Sequence, residues 1–524
     1  MDKKSYCIAW LMLLFVGSLH AQYRTTTYCN PLNLDYTYPF HNSHLGKSYR
    51  SGADPAVVEF RGEYYMFVTR SWGYWHSKDL LNWDFITPEK WYFEGCNAPA
   101  AHNYKDSVLY VCGNPSGAMS ILYTDNPKRG DWKAVPSVLH DLQDPALFID
   151  DDERAYMYWG SSNRWPIRGK ELDMKNKFLP IAKKPDSLLF LRPDIYGWER
   201  FGENHTSDIK PFIEGAWMTK HNGKYYLQYA APGTQFNVYG DGVYVGKSPL
   251  GPFQYPFCYK PGGFATGAGH GSTVCGPGGI YWHFGTIHLS INYKFERRLC
   301  MFPTFFDEDG VMYSDTYFGD YPHYSPDQVS RQTTSGGFRG WMLLSYGKPV
   351  KASSQLESYP VENVTDENLK TFWVAGKNDD KQWVEIDLEE VSDVYALQLN
   401  FFDYEETGFW GRMPNLRQRY LVEASVDGAR WRVLVDYRNS FRDAPHNYIE
   451  LDQPIEARYI RYRHHYVPGK NLAMGDIRVF GLGRGKKPAT VKGFTVVREA
   501  DERNARISWK SVKGAQGYNV LWGV

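Results

Sequence analysis

The sequence has no excess of either charge: 59 lysines and arginines balance 59 aspartates and glutamates over 524 residues. Without a basic stripe there is no electrostatic basis for nucleic acid or an anionic membrane surface as partner. Long apolar runs are also scarce. One, at residues 7–16, follows two lysines and precedes small and polar residues up to Ala21. It is too short for a comfortable transmembrane helix and reads as the core of a secretory signal peptide over residues 1–21. Cleavage near Ala21 and export to the periplasm, the exterior or the cell surface are expected. Cys29 has no apolar run before it, so soluble export is expected rather than lipid anchoring, and no transmembrane segment follows. Cysteine is sparse. Outside the leader stand Cys29, Cys96, Cys112, Cys258, Cys275 and Cys300, none at CxxC spacing, which argues against a zinc site. Export permits disulfides, but their connectivity is not readable from sequence, and buried free thiols are an equal alternative.

Aromatic residues, by contrast, are abundant at 17%, and this favours strands. A chain this long exceeds one ordinary core, so more than one domain is expected. The first part of the chain repeats itself. "DPAVVEFRGEYYMFVT" begins at Asp54, "APAAHNYKDSVLYVCG" at Ala98 and "DPALFIDDDERAYMYWG" at Asp144. "EGAWMTKHNGKYYLQYAA" begins at Glu214 and "GHGSTVCGPGGIYWHFGT" at Gly269. Each has a short segment, a polar or glycine turn such as Asn222-Gly223, then a strand rich in Tyr or Trp, the pattern of a β-hairpin. Further short strands lie between the hairpins. Five units of roughly 45–70 residues, each of about four strands, describe a five-bladed β-propeller.

In a propeller the inner strand of every blade lines one channel, so the residues that open those strands converge. Asp54, Asp144 and Glu214 open three units in one phase and are candidates for a carboxylate cluster. The plain alternative is three unrelated turns, since Asp-Pro commonly opens one. Crowded carboxylates cannot all ionise cheaply, which lets a protein keep one protonated and another charged. Glycoside hydrolysis uses such a pair. Trp72, Trp75 and Trp217 lie near these acids in sequence and are candidates for a sugar-stacking platform, with blade packing as the alternative.

The DPA, DPA and EGA segments followed by "GHGS" resemble glycoside hydrolase family 43 over residues 28–325. The resemblance implies a five-bladed propeller that hydrolyses arabinose-, xylose- or galactose-containing glycans with inversion and needs no cofactor for its chemistry. It implies Asp54 as general base, Glu214 as general acid, and Asp144 as the group that tunes and positions Glu214. His270 matches a central histidine that often helps hold a channel ion, commonly calcium. Ala216 stands where the family often has proline, and the segment before Asp54 is longer than usual.

After a linker near residues 330–340 the pattern changes to alternating strands, among them "KQWVEIDL", "YALQLNFF" and "GDIRVFG". Residues 343–482 resemble the discoidin, or factor 5/8 type C, β-sandwich. That resemblance implies a structural calcium at Asp366, Asn368 and Thr371, with Asp476 where a glutamate is usual; the plain alternative is an Asx turn. The expected role of the domain is packing with weak glycan binding. Residues 488–524 resemble the first three strands of a fibronectin type III domain, too few to close a core. The whole chain is therefore expected to be all-β, with a carbohydrate as partner and the two main modules separable near residue 338. An inactive glycan-binding propeller and a cell-surface interaction protein are the alternative readings. Oligomeric state is not legible.

Overall fold

A computed structural model of the chain describes residues 26–42, 46–89, 97–114, 121–135, 142–254, 267–289, 293–329, 337–368, 370–515, 517–518 and 520. The expected signal peptide, Cys96 and Cys258 lie outside the described residues. Among those residues, no helix is long and apolar enough to cross a membrane.

Five antiparallel sheets form the first region. The first blade runs Ala56–Phe60, Glu63–Phe67, Tyr74–Ser77 and Trp83–Ile86, each strand paired with the next. The inner strands of the other blades are Asn97–Tyr104, Ala146–Ile149, Glu214–His221 and Gly269–Cys275. These five strands touch in ring order, the last against the first, so the propeller is closed. Tight turns set the hairpin register: Phe60 pairs with Glu63 across Arg61-Gly62, and His221 with Lys224 across Asn222-Gly223. All four turn residues have positive φ, as turns matching the strand twist require. The third blade departs from four strands: both Leu179–Pro180 and Asp186–Leu189 pair with its third strand, Ile167–Asp173.

The second region is a β-sandwich. Its two longest strands, Trp383–Phe401 and His446–Tyr466, pair with each other and bend at register shifts, so each serves more than one part of the sheet. Val364, Trp373, Ile386, Leu397, Leu399 and Val479 are buried at its centre.

The two regions share a buried boundary. Cys29 and Tyr321 of the first pack with Trp341, Leu343, Ala396 and Phe480 of the second. Arg50, Arg298 and Arg478 are each under 5% exposed there. Arg478 reaches Glu367 within the sandwich and Asp320 of the propeller region, at 2.9 and 3.0 Å. The sequence pattern suggested separable modules; the boundary instead buries apolar side chains beside the pairs of Arg50 with Asp403 and Asp443, and cutting the chain there would expose that apolar surface to water. Cys29 and Cys300 are buried free thiols, and burial raises both well above the ordinary thiol value. The last strands, Lys492–Arg498 and Ala505–Lys510, form a lone hairpin with Phe494, Val496 and Val497 more than half exposed.

Candidate active site

One backbone feature recurs at the start of each inner strand. Asp54, Ala98, Asp144, Gly215 and His270 have φ of 57°, 45°, 51°, 67° and 50°. Four are not glycine, and side-chain-bearing residues rarely adopt this left-handed conformation; where they do, it commonly marks a functional site. Bulges follow at Asn97/Ala100, Glu214/Trp217 and Gly269/Ser272. The kink therefore makes Gly215, not Glu214, the counterpart of Asp54 and Asp144. Glu214 stands one residue ahead of the phase read from sequence. Glycine is required at 215 because a Cβ there would lie 2.9 Å from Cγ of the His270 ring.

The openings surround a cavity of about 560 Å³ lined by Asp54, Asp144, Glu214 and His270, with Thr69, Ser161 and Arg297 among the other walls. His270 Nδ1 is 3.4 Å from Asp54 Oδ1 and 3.8 Å from Asp144 Oδ2. Arg297 Nη1 approaches Asp54 Oδ1 at 3.4 Å, and Thr69 Oγ1 donates to Asp54 Oδ2 at 2.5 Å. The same Thr69 oxygen accepts the N–H of Ala98, joining two blades. Tyr239 Oη and Ser161 Oγ donate to the two oxygens of Glu214 at 2.7 and 2.9 Å.

These surroundings separate the acids. Burial opposes ionisation of Asp54, but Arg297, His270 and the Thr69 hydroxyl outweigh it and hold its pKa below the ordinary value. Asp144 is pushed up to about 7 by burial, which outweighs the nearby His270, with the charges of Glu214 and Asp54 adding to the rise. Burial opposes protonation of His270, yet Asp54, Asp144, Glu214 and Asp241 together raise its pKa.

Sequence reasoning missed several of these groups. Asp241 is fully buried and accepts the N–H groups of His270 and Gly271 at 2.7 and 2.9 Å, fixing the kink. Burial pushes its pKa to about 8. It sits between two glycines at the start of a third strand, a place the repeat did not single out. Arg297 had a visible signal: adjacent arginines inside the strand Arg297–Phe306, otherwise largely apolar.

The three tryptophans lie elsewhere. Trp75 is fully buried, donates to Asp35 Oδ1 at 2.7 Å and packs edge-on against Phe85. Trp72 lies beside Trp410 and under Gly411 of the sandwich. Trp217 donates to the Thr273 carbonyl of the next blade at 3.2 Å. Each ring is taken up by packing; among the described residues, Phe212 and Phe295 are the phenyl rings that line the cavity.

In the sandwich, Asp366 accepts from Asn368 N and Thr371 Oγ1, forming a closed turn. Asp476 Oδ2 accepts from Asn400, while its buried Oδ1 lacks a hydrogen-bond partner. Among the described residues no three His, Cys, Asp or Glu side chains converge as a metal site. Calcium also draws on backbone carbonyls, so the turn with the unpartnered Asp476 oxygen fits a cation.

The model of glycosyl hydrolases family 43 matches residues 49–312, half of the chain. The chain belongs to glycosyl hydrolases family 43. Residues 349–474 match the F5/8 type C domain. A family 43-like likeness extends to curated proteins. A beta-xylosidase of Xylanibacter ruminicola is 33% identical over 202 residues, covering 34% of this chain and 57% of its own. An arabinoxylan arabinofuranohydrolase of Bacillus subtilis (strain 168) is 25% identical over 328 residues, covering 50% and 60%. The chain thus spans little more than half the length of these two relatives. A solved structure titled glycoside hydrolase covers 85% of this chain and 99% of its own at 18% identity, with a TM-score of 0.44.

Proposed function

We propose that this chain is an exported glycoside hydrolase that releases arabinose- or xylose-type residues from arabinoxylan-like glycans with inversion. One observation carries the reading. A single cavity holds a carboxylate kept ionised, Asp54, beside Asp144, whose carboxyl is pushed up to about 7 by burial, against the pull of His270, with the charges of Glu214 and Asp54 adding to the rise. Inverting hydrolysis needs these two states at once. Asp54 takes a proton from water as that water attacks the anomeric carbon. Glu214, oriented by Tyr239 and Ser161, protonates the departing oxygen. Asp144 and His270 set the charge around both. The sugar class rests on the names of the relatives. Calcium in the 366–371 turn belongs to the same proposal, with a structural role; chelation should lower the melting temperature of the sandwich.

The test is a screen of para-nitrophenyl xyloside and arabinofuranoside alongside arabinoxylan, with the anomer of the first-formed product read by NMR. Glu214→Gln should keep measurable turnover on the activated aryl glycoside and lose the polysaccharide, because only the latter leaving group needs a proton. A retained anomer would overturn the mechanism. Binding without turnover of any glycoside would leave a glycan-binding propeller instead.

A further inference from the structure

Arg297 and Arg298 are neighbours on one strand, so their side chains point to opposite sides. Arg297 faces the cavity and meets Asp54. Arg298 faces the sandwich, where its Nε donates to His446 Nε2 at 2.8 Å. His446 Nδ1 in turn donates to Asn400 Oδ1 at 2.9 Å, which fixes the ring as a neutral acceptor toward Arg298. Both Arg298 and His446 are 1% exposed. Burial, then the charges of Arg298 and Arg50, hold His446 well below the ordinary histidine range, in keeping with that tautomer.

The segment that delivers Asp54 is gripped in the same way. Arg50, four residues ahead of it, binds Asp403 at 3.1 Å and Asp443 at 2.6 Å, both from the sandwich. Arg298 Nη1 donates to the Arg50 carbonyl at 2.9 Å, and Gly52 N to the Arg297 carbonyl at 2.9 Å. Ser51 Oγ accepts from Arg297 N. Tyr36 packs under Arg298 and against Gly52, where a Cβ would meet its ring at 2.7 Å. Segment 50–54 and the start of strand Arg297–Phe306 are thus one cross-linked unit, with the reacting groups on one side and sandwich residues on the other.

We propose that the F5/8 type C sandwich is a working part of the active site, with His446, Asp403 and Asp443 as positioning residues that set Arg297 against Asp54. The inference rests on Asp54 as the base. Removing the His446 acceptor leaves the buried Arg298 Nε without its partner and frees the strand that carries Arg297. A displacement of this kind costs turnover rather than substrate binding.

The experiment is a double-substitution cycle on the full chain, assayed with whichever para-nitrophenyl glycoside is hydrolysed. His446→Phe should lower kcat about tenfold with KM unchanged, while His446→Gln, which restores an acceptor, should stay within about twofold of the parent. On an Arg297→Lys background the same His446→Phe change should cost less than about twofold, because the two act through one contact. Glu450→Gln serves as the control. It loosens the boundary at Thr26 and Thr27, far along the chain from Asp54, and should leave kcat as it was. Where His446→Phe fails to fold, Asp443→Asn takes its place in the same cycle. Equal losses on both backgrounds, a change in KM alone, or an equal loss in Glu450→Gln would overturn the proposal. Asp54→Ala is assayed beside them. If it retains turnover, the base assignment fails and the proposal with it; if it is inactive while His446→Phe is normal, the proposal alone fails.

Discussion

Two places in this molecule bury many charged groups, and they are built on opposite rules. The mouth of the propeller gathers Asp54, Asp144 and Glu214 against the limited positive charge of Arg297 and His270. The boundary with the sandwich gathers Arg50, Arg298 and Arg478, with acids or acceptors supplied by both regions. At the boundary most hydrogen-bonding capacity is met, which suits rigidity. At the mouth burial and facing like charges lift the carboxyl of Asp144, while Arg297, His270 and Thr69 hold that of Asp54 down. Satisfied burial fixes a structure; unsatisfied burial stores reactivity.

Substitutions can break that contrast from either side. The largest effect should come at the mouth: Asp54→Ala should lower kcat/KM by about 10³-fold or more on natural and activated glycosides alike, since no other group activates the water. Its melting temperature should change little, and a collapse in stability would contradict the contrast. At the boundary the expectation reverses. Arg478→Met removes a buried guanidinium that meets the partly exposed Asp320 and Glu367 and donates to the Asp320 carbonyl and Gln398 Oε1, and should cost about 1–3 kcal/mol in urea unfolding.

A smaller effect tests the stored repulsion. Asp144 has a folded-state pKa of about 7, above its ordinary 3.8. Between those values the folded chain holds more protons than the unfolded one, so this group's contribution to stability falls as pH rises through the window. Asp144→Asn removes that loss. The variant should melt about 2–4 °C above the parent at pH 8, with the gap closing toward pH 4. Asp241 titrates with the same sign and remains in both proteins. A gap that widened toward acid would show the sign to be wrong. The smallest effect belongs to an exposed pair across the same boundary. Lys47 meets Glu405 at 2.6 Å but both are about a third exposed, and Lys47→Ala should stay within about 0.5 kcal/mol of the parent.

The repeat was legible because hairpin turns and aromatic strands recur at a fixed distance from each opening residue. Four of the five kinked residues are among those openings, and Glu214 adjoins the fifth. What escaped were groups that arrive from other strands of the blades: Tyr239 and Arg297 reach Glu214 and Asp54 across 25 and 243 residues, and Asp241 reaches the backbone of His270 across 29. The tryptophans misled for a related reason. Nearness in sequence to Asp54 or Glu214 says nothing of direction, and Trp75 on its strand points into the blade core. The tie between modules was hidden as well, since the sandwich residues that meet Arg50 and Arg298 lie more than 140 residues further along the chain.

The five kinks have one further consequence. A five-fold repeat, taken alone, would present a guest with five equivalent directions. Among the described residues, four blades place an ionisable side chain at or beside the kink; the second places Ala98 and the uncharged Asn97, both of which line the cavity. That blank vertex lifts the rotational degeneracy. It gives the cavity a compass, so that a sugar ring entering it finds ionisable groups on four bearings and uncharged ones on the fifth.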